Sequence, residues 1–136
     1  MEGSKSTERH AGAEGTMRQD LQRDLVQLHK EFMGRGPIKT KLYMNEDTIL
    51  VLLLNGHTPS EQTMYEGGRH RSVAQTRVDL SESIRKRFVE CVERLTGRDV
   101  VGFMSSSQQH PDLLSQVYVL KPTDLLTVVP DEPDEN

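Results

Sequence analysis

Five histidines, one cysteine and an arginine set between two glycines are the residues of this 136-residue chain that could make a chemical site. His10, His29, His57, His70 and His110 form no His-x-x-His or Glu-x-x-His pair, and Cys91 has no second thiol. A structural zinc site needs four assembled ligands, so no metal is expected. His57 and His110 both fall in polar loops beside strands and could approach each other near Asp112, the one catalytic constellation the sequence offers. General acid–base work demands a positioned partner, and the sequence identifies none. No catalytic residue is therefore assigned, and the chain reads as a non-enzyme. Cys91 lies on the apolar side of a helical stretch and reads as a small hydrophobe. Arg35 stands in Gly34-Arg35-Gly36-Pro37, where its guanidinium could hold a carboxylate or phosphate bidentately. The same glycines serve a simple chain reversal equally well. Neither a phosphate loop nor a dinucleotide fingerprint is present, so no cofactor is expected. Arg35, His57 and His110 are the candidate ligand- or partner-binding residues.

These residues need elements to position them. Met17, Leu21, Leu25, Leu28 and Phe32 recur at steps of three and four, one side of a helix that the glycine-proline corner stops. Ile38, Thr40, Leu42 and Met44 then alternate with Lys39, Lys41 and Tyr43, the pattern of a strand with one covered face. Residues 48–54 are aliphatic and β-branched, and the short turn between predicts an antiparallel hairpin. In the following loop Thr58-Pro59-Ser60-Glu61 has the form of a helix start, with Thr58 as cap and Glu61 three residues on. Val73, Arg77, Leu80, Ile84, Phe88, Cys91 or Val92, and Leu95 trace a main helix over 70–96, with a break possible around 79–83. A third strand is expected over 99–104, a polar connection over 105–112 and a fourth strand over 113–120.

The expected fold class is α+β, two helices packed on a mainly antiparallel four-stranded sheet in the order α-β-β-α-β-β. Residues 1–16 read as a disordered leader, 17–122 as the folded domain and 123–136 as a partly disordered acidic tail. An unbroken helix over 70–96 would span about 40 Å at 1.5 Å per residue, overshooting the sheet. Its exposed end, carrying Val73 and Leu80, is expected to meet a second copy, making a homodimer.

Charge removes other classes. The net charge of −4 is supplied by Asp131, Glu132, Asp134 and Glu135, so the body is nearly neutral. Residues 69–98 carry eight Arg or Lys against four acids, which leaves nucleic-acid binding by that helix as an alternative reading rather than the leading one. A small anion-binding sensor or enzyme around Arg35, His57 and His110 is the other alternative. The longest aliphatic run, over 49–54, is too short to span a membrane. Met1-Glu2-Gly3-Ser4-Lys5 leads into no apolar stretch, so no export signal is expected, and a lone cysteine fits a reducing cytoplasm.

Several stretches, read together, resemble a known family. They are Glu31-Phe32-Met33-Gly34-Arg35-Gly36-Pro37, Leu54-Asn55-Gly56-His57-Thr58-Pro59-Ser60-Glu61, Arg85-Lys86-Arg87-Phe88-Val89-Glu90 leading to Leu95-Thr96-Gly97-Arg98-Asp99-Val100-Val101, and Pro111-Asp112-Leu113 with Val117-Tyr118-Val119-Leu120. The family is the MpsC-like one, small bacterial proteins labelled for a sodium-translocating, membrane-potential-generating system. The resemblance implies a soluble, non-catalytic accessory protein linked to ion or bicarbonate transport, with no catalytic residues to carry over. Lacking a span of its own, such a protein would act by binding another protein, as part of a membrane complex, or the membrane surface.

Overall fold

The computed structural model describes residues 2–109 and 111–122. Helix α1 (Glu2–Met33) lays Leu21, Leu25 and His29 inward, one turn apart. It begins well before the periodic stripe at Met17, through residues whose composition reads as a leader. Strands β1 (Lys39–Asn45) and β2 (Thr48–Leu54) pair antiparallel as the alternation predicts, Asn45 facing Thr48 across a two-residue turn. Glu46 in that turn has a φ of 52°, an uncommon conformation for a residue with a Cβ.

Helix α2 (Pro59–Glu66) starts where the cap signal places it. The Thr58 side chain accepts from the Glu61 N–H, and the Glu61 carboxylate accepts from the Thr58 N–H at 2.9 Å. Two further helices follow, α3 (His70–Ser83) and α4 (Arg85–Thr96). Gly97 closes α4 at a φ of 71°, a left-handed cap that glycine takes without a Cβ penalty. Strands β3 (Val100–Gln109) and β4 (Asp112–Leu120) complete an antiparallel sheet in the order β1-β2-β4-β3.

The expected two-helix order is corrected: among the described residues four helices accompany the sheet, in the order α-β-β-α-α-α-β-β. The capped segment after Thr58 is a helix in its own right. The main stripe is cut at Ile84, whose ψ of 14° departs from helical geometry. The cut lets two stripes bury separately, Val73, Arg77 and Ser81 on α3, and Phe88, Cys91 and Val92 on α4. α3 lies against β3, and α4 lies against α1 and β3. The overshoot expected of one long helix therefore vanishes. Val73 is fully buried within the chain, and Leu80 is half-buried, so the end expected to seek a second copy is covered from inside. β3 also runs through Ser105, Ser106 and Ser107, expected as loop, because strand pairing satisfies backbone groups whatever the side chain; Ser105 faces Gln116 and Ser107 faces Leu114.

All this packing uses one face of the sheet. Ile49, Val51, Leu53, Phe103, Leu114, Tyr118 and Leu120 form the core with Leu21, Leu25, Phe88, Cys91 and Val92. The alternate residues of the same strands, among them Leu50, Leu52, Leu54, Val117 and Val119, belong to the opposite face and take no part in that core.

Candidate functional site

A dense polar cluster forms where the loop after β2, the capped start of α2, the middle of α3 and the first residue of β4 converge. Its centre is Arg77, which occupies an inward position of the α3 stripe and is 1% exposed. An arginine cannot shed its charge on burial, so its donors must find acceptors. They do. Nε and one terminal nitrogen donate to the two carboxylate oxygens of Glu61 at 3.0 and 2.9 Å, a bidentate fork. The second terminal nitrogen donates to Asp112, and the one bound to Glu61 also donates to the Gly56 carbonyl at 3.2 Å. Burial alone would lower the Arg77 pKa, but the hydrogen bonds to Glu61 and Asp112 hold it above the ordinary arginine value. Burial would likewise raise Glu61, yet the Arg77 fork and the Thr58 N–H hold its carboxyl below the usual carboxylate value.

His57 stands beside this ion pair. Its Nε2 is 3.4 Å from the second Asp112 oxygen, its Nδ1 is 3.1 Å from the Gln62 amide oxygen, and its ring lies 4.3 Å from that of Tyr65. Arg35, at the glycine corner after α1, donates to the His57 carbonyl at 2.6 Å. The sequence-derived pair Arg35 and His57 is thus brought together, and the nearness of His57 to Asp112 is observed, whereas His110 lies outside the described residues. Deeper in, His29 of α1 and Asn55 meet at 3.1 Å, both buried. Burial pushes the His29 pKa down, with Arg77 adding to the effect, so its imidazole is held neutral.

Arg77 and Glu61 carry the arrangement, and the sequence reading did not single them out for it. The signal was present: Arg77 falls in step with Val73 and Leu80 on a stripe otherwise apolar, and a cation there requires acids from elsewhere. Glu61 was legible only as a capping residue.

The other basic residues of 69–98 are largely engaged within the chain. Arg94 meets Asp24 at 3.2 Å and Arg98 meets Asp47 at 2.6 Å. Arg85 and Arg87 sit over the rings of Phe103 and Phe32, each 5.3 Å from the centroid. A groove of about 390 Å³ between α1 and α4 has Cys91 at its base, whose thiol burial pushes up rather than activating. Among the described residues, no group of three or more His, Cys, Asp or Glu side chains could hold a metal ion, and no helix is long and apolar enough to cross a membrane.

No solved structure matches the chain. A Bacillus subtilis (strain 168) protein, called Uncharacterized protein YbcI, is 28% identical over 105 residues, covering 76% of this chain and 80% of that protein. The family described as Na+-translocating membrane potential-generating system (MpsC) matches residues 13–122, which include every described member of the Arg77 cluster. On that match the chain belongs to the MpsC family.

Proposed function

We propose that the protein is a non-catalytic accessory module that works in the cytoplasm by binding a protein partner of a membrane ion-transport system. The family description supplies the link to a membrane-potential-generating system. The observation that carries the non-catalytic part is the closure of the polar cluster on itself. Both carboxylate oxygens of Glu61 and one of Asp112 are held by Arg77, and each ring nitrogen of His57 faces a protein oxygen. A general base needs a nitrogen or oxygen aimed at a substrate proton. Here the Arg77 bonds to Glu61, Asp112 and Gly56 brace the loop after β2 against α2, α3 and β4. His57 Nε2 and the second Asp112 oxygen lie buried against each other at 3.4 Å without a hydrogen bond. The cluster reads as a framework that fixes the shape of a binding module.

The test is complementation in a bacterial strain lacking the protein, read with a potential-sensitive dye while external sodium is varied. Loss of the protein is expected to lower the sodium-dependent potential. Wild type and a folded His57→Gln variant are both expected to restore it. An unchanged potential in the deletion strain would sink the transport link. A His57→Gln protein that folds yet fails to restore the potential would sink the non-catalytic reading.

A further inference from the structure

The sheet has a second face that none of the helices among the described residues covers. Strand pairing places Tyr43, Leu50, Val117 and Met104 side by side in one row across all four strands. Tyr43 is 50% exposed and Met104 57%. One row along stand Lys41, Leu52, Ser115 and Ser106, and beyond them Lys39, Leu54, Leu113 and Gln108. In these rows leucine and valine, with Ser115, make up the two central strands, Lys39 and Lys41 with Tyr43 line the β1 edge, and Ser106 and Gln108 with Met104 line the β3 edge. No acidic side chain stands in these three rows.

We propose that this face is the contact between two copies of the chain, related by a two-fold axis parallel to the strands. Such an axis lays the β1 edge of one copy over the β3 edge of the other. It therefore sets Tyr43 against Met104 of the second copy, an aromatic–thioether contact, and Leu50 against Val117. Lys39 and Lys41 then lie over Gln108 and Ser106 rather than over each other, so no like charges oppose across the axis. The area suffices. Four strands at about 4.8 Å and seven residues at about 3.4 Å give roughly 450 Å² per copy in plan, and about 1,000 Å² for both once side-chain relief is counted. That reaches the lower bound of about 1,000 Å² for a specific interface, which suits a reversible dimer more than an obligate one. A lipid surface fits less well, since the only cations in these rows sit along one edge. The inference stands independently of the transport role.

Sedimentation equilibrium of the full chain tests it. The expected result is a mass of twice 15.4 kDa at about 100 μM, dissociating on dilution. Tyr43→Lys with Met104→Lys sets like charges across the axis and is expected to weaken the dimer by about a hundred-fold, at unchanged circular dichroism. Tyr43→Lys with Met104→Glu sets opposite charges across it and should regain most of the loss. A dimer indifferent to the first pair, or not regained by the second, overturns the proposal. So does a single-chain mass at all concentrations. In that event co-sedimentation with phosphatidylglycerol vesicles would assign the face to lipid, and its failure would leave residues 123–136 or another protein as the cover.

Discussion

Arg77 and Glu61, sixteen residues apart in the chain, meet through two parallel hydrogen bonds of 3.0 and 2.9 Å. Glu61 is also the residue that caps α2 by accepting from the Thr58 N–H. One carboxylate thus ties the start of α2 to the middle of α3, and through Arg77 to Asp112 at the start of β4.

Removing the arginine should cost far more than a surface ion pair is worth. Arg77→Met leaves Glu61 and Asp112, with side chains only 13% and 11% exposed, without the guanidinium that holds both. Breaking a buried pair in this way typically costs about 3–5 kcal/mol. Adding Glu61→Gln and Asp112→Asn to Arg77→Met should recover a large part of that loss, because the burden is the uncompensated charge rather than the missing bond. Urea unfolding of the single and triple variants decides the matter. A single variant within about 1 kcal/mol of wild type would show that the cluster is solvated.

How much of this was legible follows from the range of each interaction. The hairpin, the Thr58 cap and the Gly97 stop are set by neighbours a few residues apart, and the periodicity and turn residues reveal them. The cut at Ile84 falls next to the break that the sequence allowed at 79–83, but what enforces it is tertiary. The stripe keeps helical spacing through it, and packing α3 against β3 while α4 packs against α1 and β3 makes two helices better than one. The extension of β3 through Ser105 to Ser107 depends on β4 lying beside it, which no local signal reports. Arg35 and His57 were recognisable as unusual residues in unusual loops. That Arg77 rather than His57 is the centre of the cluster required knowing that its stripe faces inward.

Phe88→Ala should be among the most damaging truncations in α4. Its side chain is 1% exposed and its ring stacks on Phe103 at 6.4 Å with 18° between planes. Losing a buried phenylalanine costs about 3–5 kcal/mol through lost transfer energy and the cavity left behind. A denaturation midpoint shifted by less than the equivalent of about 1 kcal/mol would mean that the surrounding core collapses into the space.

Stability should fall as pH is lowered, in two stages. The buried His29 has a folded pKa below its ordinary value of 6.5, so the unfolded chain takes up this proton first. Unfolding is then favoured progressively as pH drops below about 6.5. Glu61, also lowered in the fold, contributes stability that is present above about pH 4.5 and is lost as pH falls through its folded value. His29→Gln keeps a hydrogen-bonding group near Asn55 but cannot titrate. Its melting temperature should therefore stay flatter than wild type between pH 7 and pH 5, while the loss at lower pH remains. Equal slopes in that upper range would assign the first stage to another group.

The last prediction concerns the cap and its coupling to the ion pair. Thr58→Ala removes the side chain that accepts from the Glu61 N–H, and lost caps of this kind cost about 1 kcal/mol. The effect should not end there. The Thr58 N–H donates to the same Glu61 oxygen that takes a bond from Arg77, so the cap helps to aim the carboxylate at the guanidinium. If that geometry matters, Thr58→Ala loosens the fork and costs more with Arg77 present than without it. A double-mutant cycle of Thr58→Ala with Arg77→Met should return a coupling of about 0.5–1 kcal/mol, within the range for residues that share one network. Independent costs that simply add would show that α2 is capped locally and that Arg77 finds Glu61 without its help.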